Sequence, residues 1–277
     1  MLKVLVLGGS GFLGQNIIEL LEKSHAVISC DKYRPRFRNV EKNITEDPYQ
    51  TKLELNFDTC IHLIDHKVQL IDFQNYEQKL ANNLIWNTKK HLILMSSSVL
   101  YANPKSEYGR RKQLLEDFWQ SFCHQRGIKL TILRLFNVYG PYQIPFVQGS
   151  LVANIIFNYL SNKTTDIYDM NARRTFVFAK DVARVFDYVI RNNLYGSHDI
   201  CGSNDKSIEE LISLMESHVM KAKIPINNLN QPEKIFCPVG NHELLQKVTE
   251  TDFIKAMQET YIFYLKNKNN IFPESFK

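Results

Sequence analysis

Four glycines in GGSGFLG (8–14) constrain this chain more than any other feature. KVLVLG (3–8) reads as a buried strand and FLGQNIIELLEK (12–23) as a helix, so the glycines sit at a strand-to-helix junction. Gly9-x-Gly11-x-x-Gly14 fits the dinucleotide fingerprint, and Gly8-x-x-Gly11-x-x-Gly14 fits its wider-spaced variant. Glycine permits the tight turn and the close approach of backbone to a pyrophosphate, whose charge meets the helix N-terminus at Phe12 and Leu13. Asp31 ends the next strand, 17 residues after Gly14, where a carboxylate holds the ribose hydroxyls of NAD. Lys32, Arg34, Arg36 and Arg38 follow at once and read as a solvated loop. NAD is therefore favoured, and NADP stays open.

The rest of the first half continues the same rhythm. AVISCD (26–31), CIHLI (60–64), HLILMSS (91–97) and LTILRLF with Lys129 before it (129–136) are short and apolar nearly throughout. A polar–apolar stretch around 73–88 and YGRRKQLLEDFWQSFCHQ (108–125) lie between them. The latter carries Leu114, Leu115, Phe118, Trp119, Phe122 and Cys123 on one stripe, with Gly127 as the stop. Strands apolar on both faces, alternating with helices, predict an α/β fold: a doubly wound parallel Rossmann-type sheet over 1–140. Residues 141–277 read as a smaller α+β substrate lobe, packed on the first domain and partly interleaved with it. SLVANIIFNYL (150–160) looks helical and RTFVFA (174–179) extended, and Asp181 is placed to cap the helix after it. Ser207 and Glu210 form a capping box, and Phe253, Met257, Tyr261 and Tyr264 share one side of a last helix. The Lys/Asn-rich tail from Lys266 reads as loose.

Composition then excludes classes. At 44% hydrophobic residues the chain can build a core, and its charge of +5 is too small and scattered for nucleic-acid binding. That small excess does suit a phosphorylated small molecule. No apolar run approaches the ~20 residues of a membrane span. Five cysteines, at 30, 60, 123, 201 and 237, lie far apart, which points to reduced thiols and a cytoplasmic protein.

Tyr-x-x-x-Lys occurs at Tyr101/Lys105, Tyr108/Lys112, Tyr159/Lys163 and Tyr264/Lys268, so placement must choose. Only Tyr108/Lys112 begins a helix just beyond a sheet strand, where i, i+4 spacing puts both on one face. The strand ends in Met95-Ser96-Ser97-Ser98, bringing hydroxyls to the edge where such sheets bind ligands. A nearby ammonium favours a tyrosine's phenolate, so Tyr108 could pass a proton to or from an alcohol or carbonyl oxygen while hydride moves to or from a nicotinamide. Lys112 would also hold the nicotinamide ribose, and a serine would bond the reacting oxygen.

Taken in order, GGSGFLG, Asp31, CIHL (60–63), MSSSVLY (95–101), YGRRK (108–112), LRLFNVYGP (133–141) and RTFVFAKDVA (174–183) resemble the extended short-chain dehydrogenase/reductase family, in its nucleotide-sugar epimerase and reductase branch. The resemblance runs to about residue 215. It selects Ser97 as the catalytic hydroxyl and makes Tyr108 and Lys112 the proton carrier and its lysine. It also implies that Asn137 and Arg174 contact a nucleotide-diphosphate sugar, Arg174 at the diphosphate, and that Lys67 contacts the cofactor. The chain departs from the pattern at Ile64-Asp65-His66, where relatives have small residues; the Asp65–His66 pair reads as solvent-facing, with a proton relay as the alternative. Further departures are Asn43 in place of an aspartate near the adenine, the short spacing from Tyr101 to Tyr108, and the missing second arginine, for which Lys234 is a weak substitute. Ser98 and Val99 stand where 4,6-dehydratases carry Asp-Glu, which argues against dehydration.

The resemblance thus implies an NAD-dependent nucleotide-sugar epimerase working by transient oxidation at C4. A nucleotide 4-keto-6-deoxysugar reductase is the alternative, favoured by the short chain and rim loop, and a non-catalytic dinucleotide-binding module is the remote one. A homodimer through the helices near 73–88 and 108–125 stays open.

Overall fold

A computed structural model describes residues 1–37, 42–146, 150–203, 205–231 and 240–271. Arg38, Lys234 and Cys237, singled out above, lie outside the described residues.

Five strands follow the expected rhythm, β1 (Lys3–Leu7), β2 (Ala26–Asp31), β4 (Thr59–His62), β5 (His91–Ser97) and β6 (Lys129–Leu135), and an unexpected short strand, β3 (Asn43–Thr45), joins them. Between them run α1 (Phe12–Leu21), α2 (Phe73–Asn83), the short α3 (Val99–Ala102) and α4 (Glu107–Arg126). Later come β7 (Asn137–Tyr139), α5 (Leu151–Leu160), β8 (Thr165–Ile167), β9 (Arg173–Phe178), α6 (Ala179–Asn192) and β10 (Gly196–Ile200). Then follow β11 (Asp205–Ser207), α7 (Ile208–Leu214), β12 (Ile226–Asn228), α8 (Glu243–Gln246), α9 (Phe253–Lys266) and α10 (Lys268–Ile271).

The main sheet has seven strands in the order β10-β6-β5-β4-β1-β2-β3, every pair parallel. Its pleat divides the core. Val4, Val6, Ile61 and Ile93 pack with Ile17 of α1 and Phe186 of α6 on one face. Leu5, Leu7, Cys60 and Leu94 pack with Leu80 of α2 and Trp119 of α4 on the other. This is the doubly wound arrangement that near-continuous apolar strands require. Because all strands run the same way, their C-terminal ends gather along one edge, where β1 and β4 open at a switch in connection order.

Segment 179–200 returns to this sheet from beyond residue 140: α6 covers α1, and β10 pairs with β6 at the edge. α8 joins them, burying Leu244 and Leu245 in the same core, and most of the other elements form a second layer. β11-β9-β7 make one small sheet and β12-β8 a ribbon. They surround a separate core that includes Ile155, Phe176, Leu211, Met257 and Tyr264.

Two expectations fail locally. Asp181 does not cap α6; Phe178 occupies the cap position, and the fully buried Asp181 accepts instead from Thr251 N at 2.8 Å, from the Thr251 hydroxyl and from Arg184. Its carboxylate thus ties α6 to the entry of α9. The tail is also not loose throughout, since α10 forms and buries Ile271. The stripe on α4 goes to the sheet: Leu115, Trp119, Phe122 and Cys123 are buried, while Gln113, Asp117 and Gln120 face outward. Gly127 ends α4 in the left-handed region, and Ile128 N donates to Cys123 O at 2.9 Å. Among the described residues no helix is long and apolar enough to cross a membrane.

Candidate active site

The glycine loop opens the site. Gly8 adopts φ +80 and donates to Cys30 O at 2.9 Å, and Gly11 N donates to Gly8 O at 3.1 Å. A Cβ on Gly14 would lie 2.5 Å from Gly8 O, so any side chain there would force β1 and α1 apart. Gly11 is the N-cap of α1, and no side chain caps that end, so the first-turn amides of Phe12 and Leu13 face an open approach. Such an end suits an anion. Asp31 stands beside it: one carboxylate oxygen accepts from Ser10 N at 3.1 Å and the other from Tyr33 N at 3.0 Å. Burial pushes this carboxyl above its usual range, against those two amides and Lys32. Lys32, Arg34 and Arg36 are exposed. An uncapped helix end, a cradle without Cβ atoms and a carboxylate with spare lone pairs fit a dinucleotide.

The serine run is sorted by the pleat. Ser96 is buried and donates to Glu116 Oε1 at 2.5 Å. Ser97 is half-buried on the opposite pleat and accepts from Val99 N at 3.2 Å, and Ser98 opens α3. Leu135 is the register partner of Ser97 on β6, so Asn137, two residues on, reaches the same edge. Asn137 donates to Thr175 O at 3.2 Å, next to Arg174 on β9, so the two expected substrate contacts are neighbours.

Tyr108 lies in the first turn of α4 and is 36% exposed, whereas Lys112 is 1% exposed. The Lys112 ammonium lies 5.5 Å from the Tyr108 ring centroid. Of the other Tyr-x-x-x-Lys pairs, Tyr101 is held by structure: it donates to Asp199 at 2.9 Å and accepts from Arg134 at 2.7 Å. Tyr264 is buried in the second core and donates to Gln143 O. Lys67 is exposed on the loop that follows β4.

The structure corrects the reading of Asp65 and His66 as solvent-facing. Asp65 Oδ1 lies 3.2 Å from Lys112 Nζ, and His66 Nε2 lies 2.6 Å from Glu77 Oε1. Glu77 is fully buried on α2 and also accepts from His62 (3.2 Å), Trp119 Nε1 (2.8 Å) and Tyr49 (3.2 Å). Burial alone would raise its carboxyl, yet His62 and His66 hold it down to about 2. A sequence signal for this hub existed: Glu77 falls in the buried stripe of α2 with Phe73, Leu80 and Ala81. Gly109 is the other residue missed. Its Cβ would lie 2.5 Å from Asn103 O, so the 103–106 turn presses directly on the first turn of α4 and sets where Tyr108 stands.

Residues 87–201 match the family model described as "NAD dependent epimerase/dehydratase family". The chain is 26% identical to a putative UDP-glucose 4-epimerase of Methanocaldococcus jannaschii, covering 96% of this chain and 99% of that one. In fold it is similar to a UDP-N-acetylglucosamine 4-epimerase from Methanobrevibacter ruminantium M1, solved with UDP-N-acetylmuramic acid (TM-score 0.80, 22% identity, 96% and 99% coverage). It is also similar to a UDP-glucuronic acid 4-epimerase from Bacillus cereus, solved with UDP-glucuronic acid and NAD (TM-score 0.79, 22% identity, 95% and 99% coverage).

Proposed function

We propose that this chain, whose residues 87–201 match the NAD-dependent epimerase/dehydratase family model, inverts C4 of a nucleotide-diphosphate sugar by transient oxidation. The observation that carries this reading is Lys112, an ammonium buried to 1% exposure beside the Tyr108 ring, at the sheet edge that also holds the glycine loop. Gly8, Gly11, Phe12, Leu13, Gly14 and Asp31 would hold the cofactor's adenosine and pyrophosphate, with Lys67 and Lys112 reaching its other half. The 4-epimerase relatives and the NAD in one similar structure support the choice of substrate class and cofactor.

NAD held there would supply a reversible hydride acceptor for the sugar carbon. Tyr108 takes the proton of the C4 hydroxyl through its phenolate oxygen and gives it back when the carbonyl is reduced. The Lys112 ammonium stabilises that phenolate. Ser97 donates to the reacting oxygen, and Asn137 and Arg174 hold the nucleotide diphosphate, Arg174 through a guanidinium that matches phosphate oxygens. No carboxylate follows Ser97, which leaves no acid–base pair for a 4,6-elimination. Buried thiols at Cys30, Cys60 and Cys123 support a reducing, cytoplasmic setting.

A second reading, reduction of a 4-keto sugar, uses the same residues and draws on the short 103–106 connection between α3 and α4. One experiment tests both. Tyr108→Phe should keep the fold and NAD binding while turnover drops by ~10²–10⁴-fold; full activity in that variant would refute the assignment. In the wild type, turnover of an unoxidised nucleotide sugar without net change in reduced-nicotinamide absorbance marks the epimerase. Stoichiometric consumption with a 4-keto sugar marks the reductase.

A further inference from the structure

We propose that Asp65 is a positioning residue of this site: paired with the Lys112 ammonium, it offsets part of the charge that Lys112 presents to Tyr108. The inference rests on the reading of Tyr108 and Lys112 given above and adds a residue that the family pattern leaves small.

A buried ammonium is costly unless it is paired. Among the described residues, the carboxylate within ion-pair distance of Lys112 is that of Asp65, at 3.2 Å. Asp65 is itself only 19% exposed in its side chain, so water screens this pair less than a surface bridge.

The loop that carries Asp65 is pinned on both sides. His62, at the end of β4, and His66, one residue past Asp65, bond the two oxygens of the same carboxylate, Glu77. His62 Nδ1 also accepts from Ile64 N at 3.3 Å. Glu77 reaches α4 through Trp119, two turns along the helix from Lys112. Loop, α2 and α4 are thus locked around one buried anion, and the lock sets the spacing between Asp65 and Lys112.

Charges on the surrounding elements are committed elsewhere. Glu77 is shared among four donors, Glu116 is held by Arg134 and Ser96, and Arg111 pairs with Glu107. Lys67, on the same loop, is exposed. Asp65 is therefore the anion that weakens the field of Lys112 at the Tyr108 ring. Removing its charge leaves the ammonium unopposed, and the Tyr108 phenolate should then form at lower pH.

The test uses the protein without added cofactor as well as the working enzyme. Phenolate absorbance is titrated in the wild type and in Asp65→Asn, each against its own Tyr108→Phe partner, so that the difference isolates Tyr108. The expected result is a transition at lower pH in Asp65→Asn, with the acid limb of the pH–rate profile moving the same way and Asp65→Glu restoring both. Coincident transitions, or a move to higher pH, would overturn the proposal. If Asp65→Asn does not fold, Asp65→Ser is titrated in its place with the same expected shift. A pH–rate limb and full turnover surviving Tyr108→Phe would instead sink the reading of Tyr108. Loss of both there, with an unmoved transition in Asp65→Asn, would sink the role of Asp65 alone.

Discussion

Ser96 donates its hydroxyl to Glu116 at 2.5 Å, and Glu116 is gripped in turn by Arg134 at 3.0 and 2.7 Å. This commits Ser96 to the α4 side of the sheet and leaves Ser97 on the other pleat. The three serines should therefore fail in different ways. Ser97→Ala should lose turnover and keep its stability. Ser96→Ala should keep most of its turnover and lose ~1–3 kcal/mol of stability, because a buried carboxylate oxygen loses a donor. Ser98→Ala should change little. Steady-state rates and urea unfolding of the three variants check this, and equal rate losses at all three would remove the special standing of Ser97.

Gly109 makes a sharper claim about geometry. A methyl group there would stand 2.5 Å from Asn103 O and 2.8 Å from Pro104 O, both of them backbone atoms that cannot swing away. Gly109→Ala should push the first turn of α4 off the 103–106 turn and carry Tyr108 with it. Misplacement by about 1 Å can cost ~10²-fold in rate. Turnover should fall by that order while calorimetry shows NAD affinity within a few-fold of wild type. A wild-type rate would mean that this contact does not place Tyr108.

Much of this was legible in the sequence because it depends on local rules. The glycine spacing fixed the strand–turn–helix, and uninterrupted apolar strands implied helices on both faces. The capping box at Ser207 and Glu210 forms with both of its bonds. What escaped are relationships that only tertiary structure creates. Asp181 follows the start of α6 closely enough to look like a cap, but a donor 70 residues away takes its carboxylate. Asp65 and His66 look like loop residues because their partners, Lys112 and Glu77, lie on two different helices. The return of β10 to the first sheet had no local signal either, since GSHDI (196–200) is neither apolar nor alternating.

Asp31 leads to a cofactor preference. Its carboxylate already accepts from Ser10 N and Tyr33 N, and remaining lone pairs suit ribose hydroxyls, whereas a 2′-phosphate would meet a like charge. Titration calorimetry should show NAD binding at least several-fold tighter than NADP, and Asp31→Ala should narrow the gap. Tighter binding of NADP by the wild type would transfer the phosphate-reading role to Lys32 and Arg34.

Glu77 links the site to acid stability. Its carboxyl is held down to about 2 from 4.5, against the effect of burial, by His62 and His66, with Trp119 and Tyr49 completing the donors. A carboxylate depressed in the folded state stabilises the fold fully above its unfolded value, near 4.5, and loses that contribution as pH falls toward 2. The sign therefore predicts a protein that weakens between those two values. Glu77→Gln keeps the shape and removes the charge, so it should be less stable than wild type at neutral pH, by on the order of 3 kcal/mol. The two proteins should converge on acidification, because wild-type Glu77 becomes protonated and the variant has nothing there to titrate. Urea unfolding at pH 7, 5, 4 and 3 reads the difference directly. Parallel lines across that range would mean that Glu77 is not the group whose ionisation holds this region together, and that the loop carrying Asp65 is fixed by packing alone.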